Sequence, residues 1–250
     1  TDGTYTVTSN FSAGWATSPR SGIGKSYSFT FQFKVDSTAP TMNNVSTSST
    51  GKYTNSSTYV SASDSMSGVE CIYMKTPGNS SYGNMGTSTT VSSSGMNGLY
   101  SFYAKDKAGN TSRTYFLYLD TVKPTGKIKN SNGTEITGSY TNQTFSYSAT
   151  DSGSGISYLQ YKKPGSSSWL TYTSGTSISA SAASGTYQFR AVDKAGNISA
   201  TKSITLDSSK PTMTLYSGDV SVSNGFKSIA NYIKATATDS GSGVKTIYVK

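Results

Sequence analysis

Apolar side chains return at every second position in short runs separated by Ser, Thr, Gly and Asn. Phe145, Tyr147 and Ala149 form one such run, matched by Thr58, Val60 and Ala62 and by Ile233, Ala235 and Ala237. Leu159 and Tyr161 form the next, matched by Ile72 and Met74 and by Ile247 and Val249. Tyr187, Phe189 and Ala191 alternate with Gln188 and Arg190, and Tyr100, Phe102 and Ala104 repeat the pattern. A closing run carries Ile204 and Leu206, or Tyr115, Leu117 and Leu119. Alternation at period 2 predicts strands with one face buried, and no helical period of useful length competes with it.

The runs belong to a repeat. Asp36-Ser-Thr-Ala-Pro-Thr41, Asp120-Thr-Val-Lys-Pro-Thr125 and Asp207-Ser-Ser-Lys-Pro-Thr212 lie 84 and 87 residues apart. Asp64-Ser-Met-Ser-Gly68, Asp151-Ser-Gly-Ser-Gly155 and Asp239-Ser-Gly-Ser-Gly243 follow at 87 and 88. The near-copies Ala104-Lys-Asp-Lys-Ala-Gly-Asn110 and Ala191-Val-Asp-Lys-Ala-Gly-Asn197 are 87 apart. Their Asp-Lys-Ala-Gly-Asn core is hairpin-loop chemistry, since Gly and Asn tolerate positive φ and Asp can bond its own loop amides. About seven short strands per repeat predict an antiparallel sandwich.

These markers divide the chain into 1–35, 36–119, 120–206 and 207–250. The first segment aligns Gly3-Thr-Tyr5-Thr-Val7 with Gly185-Thr-Tyr187-Gln-Phe189 and so supplies only the last strands of a unit. It is about eleven residues longer there than the next unit, with Trp15 in the inserted stretch. The last segment supplies only the first strands. A half sandwich leaves its core uncovered, so the chain reads as a window on a longer array. Completion of the ends by neighbouring chains is the alternative, although the two ends together lack about 21 residues equivalent to Lys163–Ala183.

Composition narrows the partners. Of 250 residues only 33% are hydrophobic, with mean hydropathy −0.42, which suits several small sandwiches better than one large globule. Aromatics at 12%, led by 19 Tyr, argue against a disordered linker. No run approaches 18 apolar residues, so no membrane insertion is expected, and no signal-peptide pattern is read at Thr1. The net charge of +9 is scattered singly rather than clustered, which speaks against nucleic acid and fits weak attraction to anionic cell walls. Cys71 stands alone, ruling out an intrachain disulfide, and is expected as a half-exposed strand thiol. Histidine is absent, removing the commonest general base.

The pattern Asp-x-x-x-Pro-Thr, Ala-Thr-Asp-Ser-Gly-Ser-Gly-Ile and Gly-Thr-Tyr-x-Phe-Arg-Ala-x-Asp-Lys-Ala-Gly-Asn resembles the bacterial immunoglobulin-like (Big-type) tandem repeats of cell-surface and secreted proteins. The resemblance is good over 36–206, good but partial over 207–250, and weak over 1–35. It implies all-β, tandem Ig-like antiparallel sandwiches in an elongated array, used as spacer, stalk or adhesive module. Tyr100 and Tyr187 stand where such folds place a tyrosine corner, and Phe102 and Phe189 replace the cysteine two positions on.

Candidate chemistry centres on three aspartates per unit. In an Ig-like sandwich the start of the first strand, the B–C loop and the F–G loop share one tip. Asp36, Asp64 and Asp106 occupy those places by alignment, as do Asp120, Asp151 and Asp193, while Asp207 and Asp239 begin a third set. Converging carboxylates at a repeat junction can bind Ca²⁺, which takes six to eight oxygens, and stiffen the array. The alternative is that each Asp accepts amides of its own turn, or is neutralised by Lys107, Lys123, Lys194 or Lys210. Trp15, Trp169 and Tyr172 are candidate ligand-binding residues that can stack on a sugar; core packing is the competing role for the ring pair Trp169 and Tyr172. The only glutamates, Glu70 and Glu135, do not recur together, and no catalytic Ser–His or Cys–His pair can form. The expectation is a non-enzymatic structural or adhesive array of an extracellular bacterial protein, surface-bound or secreted. Its expected partners are neighbouring repeats, cell-wall or host glycans, or surface proteins. A glycan- or host-binding module and a structural part of a filament or phage particle, with self-assembly into a fibre, are the alternatives.

Overall fold

The computed structural model describes residues 1–13, 25–218, 220–222 and 233–248, and every regular element among them is a strand. The chain forms two compact units, Thr1–Thr121 and Val122–Lys250. Trp15 lies outside the described residues.

The first unit opens with a hairpin of β1 (Gly3–Ala13) and β2 (Lys25–Val35), paired from Gly3↔Val35 to Ala13↔Lys25. A sandwich follows, built from β3 (Thr41–Asn43), β4 (Lys52–Thr54), β5 (Thr58–Ser63), β6 (Val69–Lys75), β7 (Gly83–Asn84), β8 (Ser88–Val91), β9 (Gly98–Asp106) and β10 (Tyr115–Leu119). One sheet has the order β3-β5-β8 and the other β4-β10-β9-β6-β7. Between them Val60, Ile72, Phe102, Ala104, Leu117 and Leu119 are fully buried, joined by Met42, Val91, Tyr100 and Tyr115.

The second unit repeats this plan with β11 (Thr125–Asn130), β12 (Tyr140–Thr141), β13 (Phe145–Thr150), β14 (Ile156–Lys162), β15 (Leu170–Tyr172), β16 (Ser177–Ile178), β17 (Gly185–Asp193) and β18 (Lys202–Leu206). Its sheets run β11-β13-β16 and β12-β18-β17-β14-β15. Phe145, Tyr147, Phe189, Ala191, Ile204 and Leu206 form the centre of its core. Each large side chain taken from water there contributes roughly 1.5–3 kcal/mol. The alternation read from the sequence therefore places the inward faces correctly, and both sandwiches have Ig-like topology. The unit ends in a small sheet, β20-β19-β21, of β19 (Thr212–Ser217), β20 (Val220–Val222) and β21 (Ile233–Thr238).

Three details depart from the sequence reading. The strand expected through Ile247 and Val249 does not form over residues 244–248, and Val249 lies outside the described residues. Each sandwich has eight strands, because the first strand splits and its second half crosses to the other sheet. There β4 pairs parallel with β10, and β12 with β18, so the sheets are not wholly antiparallel. In the first sandwich the break follows Asn44, whose φ of 63° ends the pairing of β3. Cys71 is buried, not half-exposed. A register shift between Val69 and Cys71 disturbs β6 at this point, and the neighbouring Cys71 thiol is the leading cause of the raised pKa of the Tyr73 phenol.

Candidate functional site

The loop Asp106–Asn110 is built by its own residues. Gly109 takes φ of 101°, a conformation open to glycine, which lets the Asp106 amide donate to Asn110 O and the Gly109 amide to Asp106 O. The Asp106 carboxylate is fully buried and accepts from the Asn110 amide (2.8 Å) and the Asn110 Nδ2 (2.8 Å). Asn110 Nδ2 also donates to Asp36 O at 2.9 Å, tying the loop to the chain just before β3. Asp193 and Asn197 repeat the two carboxylate bonds at 2.8 and 2.7 Å. The asparagine thus acts through its side chain rather than through positive φ. A second element was missed in the sequence: Ser112 Oγ accepts the Ala104 amide, and Ser199 Oγ the Ala191 amide, both at 2.9 Å. The signal was present, since a serine follows each Asn by two residues.

The other two aspartates of the first sandwich converge on this loop. Asp64 Oδ1 accepts the amides of Met66, Ser67 and Gly68, closing the turn between β5 and β6. Asp36 accepts the Thr38 amide on Oδ1 and the Ser67 amide on Oδ2. Hydrogen bonding from Ser67 first, and then from the Thr38 amide, holds the Asp36 carboxyl below its ordinary pKa. Asp36, Asp64 and Asp106 each present an oxygen within 4.8 Å of the other two. Oxygens bound to one Ca²⁺ at 2.3–2.6 Å lie at most about 5 Å apart, so the spacing suits a shared hard cation. The same oxygens also receive turn amides, so part of their charge is already met without metal.

In the second sandwich Asp151 and Asp193 also present oxygens within 4.8 Å of one another. Asp151 Oδ1 accepts the Gly153 and Gly155 amides, while its Oδ2 is buried without a hydrogen-bond partner. Asp120 is fully buried at the end of the first unit, its amide donating to Thr54 O. In the third set Asp207 Oδ2 accepts the Ser242 amide, as Asp36 does from Ser67, and Asp239 Oδ1 accepts those of Gly241 and Gly243. Of the lysines, the Lys107 and Lys194 ammonium groups lie beside the turn glycines Gly68 and Gly155.

The aromatic candidates fare differently. Tyr172 is core: it is buried, packs edge-on against Phe189, accepts the Tyr147 amide and donates to Thr176 O. It offers no face to a sugar. The Trp169 ring is capped by the Arg190 guanidinium at 4.2 Å and the Lys162 ammonium at 4.9 Å. Arg190 is steered by its bond to Gln160 Oε1 at 2.8 Å. The tyrosine corners form as the resemblance implies, Tyr100 Oη donating to Met96 O and Tyr187 Oη to Ala183 O.

Fold and tip define a class, that of chains built from tandem Ig-like β-sandwiches. No known protein family matches the sequence, and no curated protein does. Among solved structures it is similar to the fibronectin(III)-like modules of CbhA from Clostridium thermocellum, at 16% identity and a TM-score of 0.36, over 66% of this chain and 92% of that one.

Proposed function

We propose that the chain is a non-catalytic structural array, the stalk or spacer of a bacterial surface or secreted protein. The observation that carries this reading is the tip loop. Asp106 with Asn110, and Asp193 with Asn197, make the same carboxylate bonds in both sandwiches. Carboxylates spent on holding their own loop, once per repeat, serve architecture. Each sandwich then resists extension through its interstrand hydrogen bonds. Pulled from its ends, the chain unfolds in two discrete events, each releasing roughly 300 Å, the extended length of one repeat. A smooth extension without steps overturns the reading.

A second reading, favoured by the convergence of Asp36, Asp64 and Asp106 oxygens within 4.8 Å of one another, adds a divalent cation. Asp36, Asp64 and Asp106 would hold it in the first sandwich, and the ion would supply the charge that turn amides only partly provide. Millimolar Ca²⁺ then raises the melting temperature by several degrees, since it binds the folded state alone. Asp64→Asn reduces the increase. An unchanged melting temperature removes calcium.

A further inference from the structure

The two complete sandwiches share a core but differ on the outward face of their five-stranded sheets. In the first, Tyr73 and Tyr103 stand opposite each other on β6 and β9 and stack at 4.7 Å, and Tyr82 meets Tyr103 edge-on at 4.9 Å. In the second, 87 residues on, the same three places hold Gln160, Arg190 and Trp169. Gln160 and Arg190 are again a cross-strand pair, now of β14 and β17. One contact is kept: Lys75 lies over the Tyr82 ring at 5.3 Å, and Lys162 over the Trp169 ring at 4.9 Å. A self-packed cluster of tyrosines has become an arginine and a lysine sharing one indole.

That exchange leaves charge unbalanced. The Arg190 guanidinium lies 4.2 Å from the Trp169 ring centroid, and its Nε donates to Gln160 Oε1 at 2.8 Å. The bond engages Nε and turns the two Nη groups to a carboxylate approaching end-on. Lys162 pairs with Gln188 and so stands diagonal to Arg190, where neighbours lie about 7–8 Å apart. Two like charges at that distance repel, and the indole offsets only part of the cost. The ion pairs among the described residues, Lys105–Glu70 and Lys127–Glu135, include neither cation. Glu70 brings a carboxylate to the first sandwich beside Tyr73, whereas its counterpart in the second is Ser157.

The groups around the cations are aromatic or neutral and polar. Trp169 and Gln188 are half-buried, so the two cations do not enclose the indole. Tyr158 is 47% exposed and shares a side of β14 with Gln160, because Leu159 between them points into the core. Tyr and Trp present apolar ring faces beside polar tips. With the amides of Gln160 and Gln188 they suit the C–H faces and hydroxyls of a sugar. We propose that this face of the second sandwich binds an acidic polysaccharide, a carboxylate on the sugar ring taken by Arg190 and Lys162 while the ring itself rests against Trp169. An acidic peptide brings the carboxylate without the ring that the aromatic side chains match. The proposal goes beyond the stalk reading and does not rest on it, since extension without steps leaves this face and its charges as they are.

The chain has two tryptophans, so Trp15→Phe leaves Trp169 as the sole indole. Polygalacturonate added to that variant at low salt changes its tryptophan fluorescence saturably, and neutral dextran does not. Arg190→Gln in the same background weakens the apparent affinity roughly tenfold, the loss of one charge-assisted pair. Lys162→Gln, which leaves the Arg190–Gln160 bond in place, weakens it as well, and circular dichroism checks that each variant keeps its fold. Fluorescence that polygalacturonate leaves unchanged overturns the proposal. So does a response that survives both substitutions, which denotes attraction to the scattered net charge of +9. Polyglutamate or polyphosphate binding as tightly, with the same dependence on Arg190, overturns it too, because the face then reads charge without the sugar.

Discussion

Met42 is buried in the first sandwich where the second carries Gly126, and the difference follows from the strand beside it. Tyr147 fills the second core, and a Cβ on Gly126 would collide with its ring and hydroxyl. The first core has the smaller Val60 at the position of Tyr147, and Met42 takes up the space. Gly126→Met therefore overpacks the second sandwich and costs about 3 kcal/mol in urea unfolding. Adding Tyr147→Val recovers most of the loss, and simple additivity of the two changes contradicts this account. Asp36 gives a residue-level pH dependence. Its pKa is depressed in the folded state by hydrogen bonds from Ser67 and Thr38. Its stabilising contribution is complete above the unfolded value near 4 and is lost as pH falls through the lower folded value. Melting temperature declines over that acidic window, and Asp36→Asn flattens the decline.

At the scale of elements, the F–G loop shows how few residues fix a tip. The motif was legible as a turn from Gly109 and Gly196, whose positive φ the chain does adopt. The reach of Asn110 to Asp36 O was not, because the partner lies 74 residues away and only folding brings it close. Asn110→Ala leaves the buried Asp106 with a single partner among the bonds described above. The expected destabilisation is about 2–3 kcal/mol, read from denaturant unfolding, whereas a loss under 0.5 kcal/mol assigns the bond little weight. Strand faces were legible for a different reason: the period-2 pattern is local, and Phe102, Phe189 and Leu117 are buried as it requires. The crossing of the first strand between sheets was not, since β4 and β12 are only three and two residues long and pair with strands distant in sequence.

For the whole molecule, the two units each hold a separate core, which is why two unfolding steps are expected rather than one. The hairpin and the terminal sheet bury few large side chains and yield before either step. Here the division between sequence and structure is clearest. The sequence by itself determined the repeat, its period, the strands and their inward faces, because each is set by residues close together in the chain. It also marked Asp36, Asp64 and Asp106 as one tip, through alignment of the repeats. Only the tertiary structure decided what those carboxylates bond, and that Tyr172 belongs to the core and Trp169 beneath Arg190. Those outcomes depend on which surfaces meet across tens of residues, and no local pattern of polar and apolar positions encodes that distance.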